Sequence, residues 1–171
     1  MTAAMLLRAL CDFLRELLAE YAAAKGDGGR YIPPQVFEWY LPFKNPKAPE
    51  KIDFPYVVAR IVGGEDQRDL NVGSTVQMHL SFGVYDEGER VDGFLQPSGA
   101  YDLINLMEHV RIELQRKQVI NSRFRIEMPY KWSIPEEQPY PLWVGEATTI
   151  WTVQSVTEQQ TGGAIHAFSW E

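Results

Sequence analysis

The chain has 171 residues, 45% of them hydrophobic and 23% charged, which bounds it to one domain with a sizeable core and argues against intrinsic disorder. Its 16 basic and 23 acidic residues give a net charge of −7, the wrong sign for a protein that grips a phosphate backbone. The single cysteine excludes both an intramolecular disulfide and a four-cysteine zinc site.

Residues 2–25 predict an amphipathic helix. Leu6, Leu10, Phe13, Leu17 and Tyr21 recur at spacings of three and four, and Leu7, Leu14 and Leu18 widen the stripe. Cys11 lies in this stretch and reads as a small buried hydrophobe. Arg8, Asp12, Arg15, Glu16 and Glu20 interrupt the apolar run, so neither a membrane span nor a signal peptide is expected, and the expected compartment is cytoplasmic. The glycine cluster after residue 25 supplies a helix stop. Residues 30–55 then read as an irregular arm, because six prolines exclude a long helix and any central strand. Within it, Val36, Phe37, Glu38, Trp39 and Tyr40 allow a short edge strand.

Residues 56–62 are β-branched and predict a strand ended by Gly63 and Gly64, with an acidic connection over 65–69. Residues 74–85 alternate strictly, Val76, Met78, Leu80, Phe82 and Val84 against Thr75, Gln77, His79, Ser81 and Gly83, and predict its antiparallel partner. A polar turn over 86–93 follows. Ser98 is the expected N-cap of a second amphipathic helix over 100–118, with Leu103, Met107, Val110 and Leu114 as its stripe. Residues 123–130 alternate again, and Trp132 and Ile134 extend that parity past Pro129. A proline-broken turn over 135–141 leads to a last strand over 142–156. The expected fold is α+β: a small antiparallel or mixed sheet of about four main strands with two amphipathic helices packed on it, plus the proline-rich arm. One domain spans 1–156, and 157–171 forms a flexible or interface tail.

Motifs for chemistry are scarce. Gly63-Gly64-Glu65-Asp66 is superficially similar to a cyclic-nucleotide synthase signature, but Gln67 stands where an aromatic belongs, so the stretch reads as a hairpin loop. The sequence has no phosphate-binding glycine loop, zinc-protease helix or serine elbow. His79, His109 and His166 are scattered, and the adjacent Glu136 and Glu137 read as solvated turn residues. No catalytic residue, cofactor or metal ligand is therefore expected. What stands out is aromatic and proline content outside the core pattern: Trp39 and Tyr40 in the arm, Tyr140 and Trp143 around the 135–141 turn, Phe168 and Trp170 in the tail. Tyrosine and tryptophan favour interfaces, and stiff proline loops lose little entropy on docking, so these residues, with Glu136 and Glu137, are candidate contacts for a subunit or partner.

Several segments carry a resemblance. They are Asp53-Phe54-Pro55-Tyr56-Val57-Val58, the strand ending Phe82-Gly83-Val84-Tyr85, the helix from Gly99 to Val110, and Glu136-Glu137-Gln138-Pro139-Tyr140-Pro141-Leu142-Trp143-Val144-Gly145-Glu146. Over roughly residues 50–155 the chain resembles tail proteins of long-tailed bacteriophages and prophages, most closely the tail terminator or tail completion type. The resemblance implies a non-enzymatic virion protein that caps the tail tube as a ring, a hexamer in this family, and prepares it for joining to the head. Its partners would be copies of itself, the tube protein and a head-completion or connector protein. DNA would pass through without tight binding, and no membrane is involved. The protein would sit in the host bacterial cytoplasm during assembly and then at the head-proximal end of the tail. Glu65, Asp66, Asp69, Asp86, Glu87 and Glu89 are candidates to face the lumen of such a ring. The alternatives are another connector or minor tail protein and, from a different class, a small-ligand-binding or enzymatic domain with a pocket around Trp132, Trp143 and Trp151.

Overall fold

The computed structural model describes residues 2–25, 33–42, 55–66, 73–88 and 90–153. Asp69, Glu89, Phe168, Trp170, the whole 157–171 tail and most of the 30–55 arm lie outside them. Among the described residues are two long helices, α1 (Ala3–Lys25) and α2 (Ser98–Lys117). The strands are β1 (Gln35–Glu38), β2 (Tyr56–Glu65), β3 (Ser74–Tyr85), β4 (Arg90–Val91), β5 (Phe94–Leu95), β6 (Val119–Ile120), β7 (Phe124–Ser133) and β8 (Leu142–Val153).

The expected small sheet of about four strands is corrected. β1, β2, β3, β8, β7 and β6, in that order, form one six-stranded sheet curled into a half-barrel, and β4 and β5 make a separate hairpin. The sheet is mixed, because β1 runs parallel to β2 while every other neighbouring pair is antiparallel. The two additional strands are the edge strands. β1 is the short edge strand that residues 36–40 allowed, and β6 has two residues, too few to show a period of two in sequence.

The long strands owe their register to alternation. Val76, Met78, Leu80, Phe82 and Val84 of β3 share the inner face with Gly145, Ala147, Thr149, Trp151 and Val153 of β8, through the pairs Phe82–Gly145, Leu80–Ala147, Met78–Thr149 and Val76–Trp151. α2 covers the middle of this face, packing on β3, β8 and β7. α1 contacts β1 and β2 at one edge, β6 at the other, and α2 between them, so it closes the mouth of the half-barrel. Its buried side is Leu6, Leu7, Leu10, Cys11, Leu14, Leu17 and Leu18. Fully burying a leucine of this kind contributes about 1.5–3 kcal/mol, so this stripe is a large part of the core. Thr2 caps the helix by accepting Met5 N–H at its hydroxyl, 3.3 Å away.

Three local expectations are revised. β2 continues through Gly63 and Gly64 to Glu65, with its register shifted between Ile61 and Gly63. α2 begins at Ser98 with Pro97 as N-cap and no side-chain cap, while the Ser98 hydroxyl donates instead to Asp86. β7 passes through Pro129 because the register with β8 shifts between Glu127 and Lys131, which leaves 128–130 outside the ladder, where a missing N–H costs no hydrogen bond.

Candidate functional site

The described residues offer three places where chemistry or recognition is conceivable. The first is the outward face of β3, β8 and β7. His79 Nε2 lies 3.1 Å from Glu146 Oε2, Ser81 Oγ lies 3.4 Å from His79 Nδ1, and Ser133 Oγ donates to Glu146 Oε1 at 3.0 Å. A serine, a histidine and a carboxylate are thus in line, but on the open face of a sheet, and the serine contact is long for a hydrogen bond that must pass a proton. The arrangement ties three strands together across Glu146. Among the described residues no three His, Cys, Asp or Glu side chains converge to hold a metal ion.

The second is an open groove of about 240 Å³ between the helices, floored by Phe13 and Leu17 and rimmed by Glu16, Glu20, Glu113, Arg116 and Lys117. It is below the usual size of a small-molecule site. Cys11, close by in sequence, is fully buried, and burial pushes its thiol up to about 12, which removes it as a nucleophile at neutral pH.

The third place gathers most of the aromatic and acidic residues singled out in the sequence. The end of β3, the loop after it, the start of α2 and the 135–143 segment meet at one end of the sheet. Asp86 N–H donates to the Pro141 carbonyl at 3.0 Å, and Trp143 Nε1–H to the Asp86 carbonyl at 3.3 Å. The Asp86 carboxylate accepts Gly88 N–H at 2.8 Å and the Ser98 hydroxyl, which also sets a negative charge beside the N-terminus of α2, where the helix dipole favours it. Glu87 joins two tyrosines: Tyr85 OH donates to its Oε1 at 2.5 Å, and Tyr140 OH to its carbonyl at 3.0 Å. The bond to Glu87 raises the Tyr85 phenol above its ordinary value. The turn itself is braced from within, because Gln138 Oε1 accepts Val144 N–H at 2.7 Å while its Nε2 donates to the Pro135 carbonyl at 2.7 Å. Glu136 and Glu137 stand exposed on it.

On this hydrogen-bonded scaffold several large apolar side chains face outward. Phe94 is 75% exposed, Tyr101 66%, Tyr140 54% and Tyr85 50%. Isolated exposed hydrophobes are ordinary, but a group of them at one end, on a braced framework, is what a docking surface presents.

The remaining expected residues fall elsewhere. Trp143 is half-buried and packs against the core, its ring lying over Gly99 so closely that a methyl there would collide with it. Trp39 and Tyr40 are exposed beside the β1 edge, where Trp39 N–H donates to the Ala59 carbonyl at 2.9 Å, and β2 and β3 separate them from the Tyr140 end. Glu65 and Asp66 lie at the opposite end of the sheet from Asp86 and Glu87. Glu65 pairs with Thr75, ten residues from Tyr85, a separation of roughly 33 Å at strand rise. These four acids therefore make two clusters and no single surface. Trp132, Trp143 and Trp151 surround no common pocket either: Trp151 is sealed in the core with its Nε1–H on Thr149 Oγ1 at 2.8 Å, Trp132 is exposed, and Trp143 is eight residues, about 26 Å, along β8 from Trp151.

The contribution of the β4–β5 hairpin was not visible in the sequence, where Phe94 and Leu95 sit in a polar stretch without periodicity. No protein-family model matches the chain, and no curated protein matches it.

Proposed function

We propose that this chain is a non-enzymatic structural subunit that works by docking, a tail terminator of a long-tailed bacteriophage or prophage. In this reading it closes the head-proximal end of the tail tube as a ring, with copies of itself, the tube protein and a head-completion or connector protein as its neighbours, and assembles in the bacterial cytoplasm. DNA passes the ring without being held. The observation that carries the reading is the hydrogen-bonded end on which Tyr85 and Tyr140 stand exposed on Glu87, with Phe94 and Tyr101 exposed on the hairpin and helix that follow, large aromatic side chains that a lone subunit has no need to expose. The acidic balance of the chain supports it too, because a conduit lined with cations would retain DNA electrostatically. A closed ring needs two different surfaces on each subunit, and the two ends of this sheet are built from different elements, the 135–143 segment with the start of α2 at one and the β6–β7 hairpin at the other.

The test is genetic and structural. Deleting the gene from the phage or prophage that carries it should give tails of irregular length that fail to join heads, and mass spectrometry of purified tails should detect the protein in wild-type particles. Normal, head-joined tails in its absence would refute the reading.

A further inference from the structure

The two helices meet at one point and part further along. Phe13, Leu17 and Tyr21 recur every four residues and so form one row on the flank of α1. Tyr21 closes its end of the row against His109 of α2, with ring centroids 4.6 Å apart. One turn on along each helix the contact opens into the groove floored by Phe13 and Leu17. There α2 supplies only Glu113, Arg116 and Lys117 to the lining, so no apolar side chain of α2 fills it. The floor is apolar, and Glu16 and Glu20 of α1 place carboxylates at its rim. Its volume of about 240 Å³ suits one aromatic ring, since a cavity of about 150 Å³ holds benzene.

The chain itself brings a ring to this place. β8 ends at Val153, at the end of the sheet where the groove opens. Thr152 pairs with Arg125 of β7, Arg125 pairs with Val119 of β6, and Val119 follows the groove residue Lys117 by two positions. Two strand spacings, about 10 Å, therefore separate the end of β8 from the strand beside the groove. Residues 154–171, outside the described residues, continue from that point. Their sequence is polar and glycine-bearing over 154–163 apart from Val156, then Ala164-Ile165-His166-Ala167-Phe168-Ser169-Trp170-Glu171. Ten residues reach up to roughly 33 Å, enough to round β6 and climb to the helices.

We infer that the segment after β8 folds back on its own chain and seats the Trp170 ring on Phe13 and Leu17, in the groove between α1 and α2. The inference stands apart from the phage reading and needs neither a ring of subunits nor a second protein. An indole suits the groove because it has an apolar body and one polar edge: the body covers Phe13 and Leu17, and the Nε1–H is offered to the rim carboxylates Glu16 and Glu20. Seating such a ring removes up to about 150–250 Å² of aromatic surface from water. The attachment is apolar and does not depend on the mixed charges of the rim. The same chain is favoured over any other source of an aromatic ring, because a tether of this length holds Trp170 at a local concentration on the order of millimolar. Its effect is to clasp the first helix with the last part of the sequence.

The test is amide NMR of the full-length chain, isotope-labelled and carrying a nitroxide on Ser169→Cys. Cys11 is fully buried with its thiol pushed up to about 12, so the label goes to position 169 alone. The amide signals of Glu16, Leu17, Glu20, Glu113 and Lys117 should be lost, while those of Val91 and Gly93 on the β4–β5 hairpin stay. A mixture of isotope-labelled chains without nitroxide and unlabelled chains with it should keep every signal, because the contact lies within one chain. Trp170→Ala should restore the groove signals, and so should Phe13→Ala, with a thermal melt to check its fold. Without any nitroxide, Trp170→Ala should shift the same groove amides and leave those of the hairpin in place. Groove signals that survive the label, signals lost equally at groove and hairpin, or a loss that persists in Trp170→Ala would each overturn the inference. Groove signals lost in the mixture would overturn it too, since the ring would then sit on a second copy.

Discussion

Gly99→Ala should destabilise the protein, against the sign that helix propensity dictates. Gly99 is the second residue of α2, and replacing a helical glycine by alanine ordinarily stabilises by about 1 kcal/mol. Here the added methyl would overlap the Trp143 ring and stand 2.8 Å from Asp86 Cβ, where carbon–carbon contact begins at about 3.5 Å. Trp143 must yield, and with it the Nε1 hydrogen bond to the Asp86 carbonyl. Overpacking of this kind costs about 1–3 kcal/mol, and a lost hydrogen bond about 1 kcal/mol more. After subtracting the propensity gain, the net loss is about 1–3 kcal/mol, a fall in Tm of about 2–12 °C for a domain of this size. Calorimetry of Gly99→Ala, Trp143→Ala and the double variant measures it. In the Trp143→Ala background the larger obstruction is gone and the Asp86 contact alone remains, so Gly99→Ala should cost clearly less than it does in wild type. Gly99→Ala melting at or above wild type, or additive effects in the cycle, would refute the account of how this end is held.

Two further outcomes test the core and the charged surface. Thr149→Val keeps the shape of a fully buried side chain but leaves the Trp151 indole N–H without its acceptor, so urea unfolding should show a loss of about 1–3 kcal/mol, and an unchanged midpoint would contradict the assignment. The Arg111 hydrogen bond holds the Glu108 carboxyl below its ordinary range. A depressed carboxyl contributes stability above its unfolded value and loses it as pH falls through the folded one, so the Tm gap between wild type and Arg111→Ala should shrink from about pH 5 to about pH 3, and a gap that widens on acidification would reverse the sign.

Both helices, β3 and most of β8 are legible in the sequence because each repeats its period over three or more turns or ten residues. The rest depends on contacts between distant parts of the chain. β1 pairs in parallel with β2 across residues 39–55, and nothing in Gln35-Val36-Phe37-Glu38 itself encodes that choice. β6 and the β4–β5 hairpin are two-residue strands, too short for a pattern. Pro129 argues locally against a strand, and only the register shift opposite β8 makes room for it. The candidate site divides the same way. Tyr140, Glu136 and Glu137 could be picked by composition and turn chemistry, whereas the meeting of Tyr140 with Glu87, 53 residues away, is a product of the fold. Trp143 was selected for the same reason as Tyr140, but it shares the parity of the inward residues Gly145, Ala147, Thr149, Trp151 and Val153 of β8, and its ring packs on the core side.

The way α1 spans the mouth of the half-barrel has a consequence during synthesis. Its leucine stripe is translated first, yet one of the surfaces it rests on, β6, is held by β7 and emerges only after about 100 further residues. At about 5–20 residues per second the apolar flank of the nascent helix stays uncovered for roughly 5–20 s. The N-terminal helix is therefore the segment that a ribosome-associated chaperone would meet, and yield in a cell should depend on holding it until the last strands arrive.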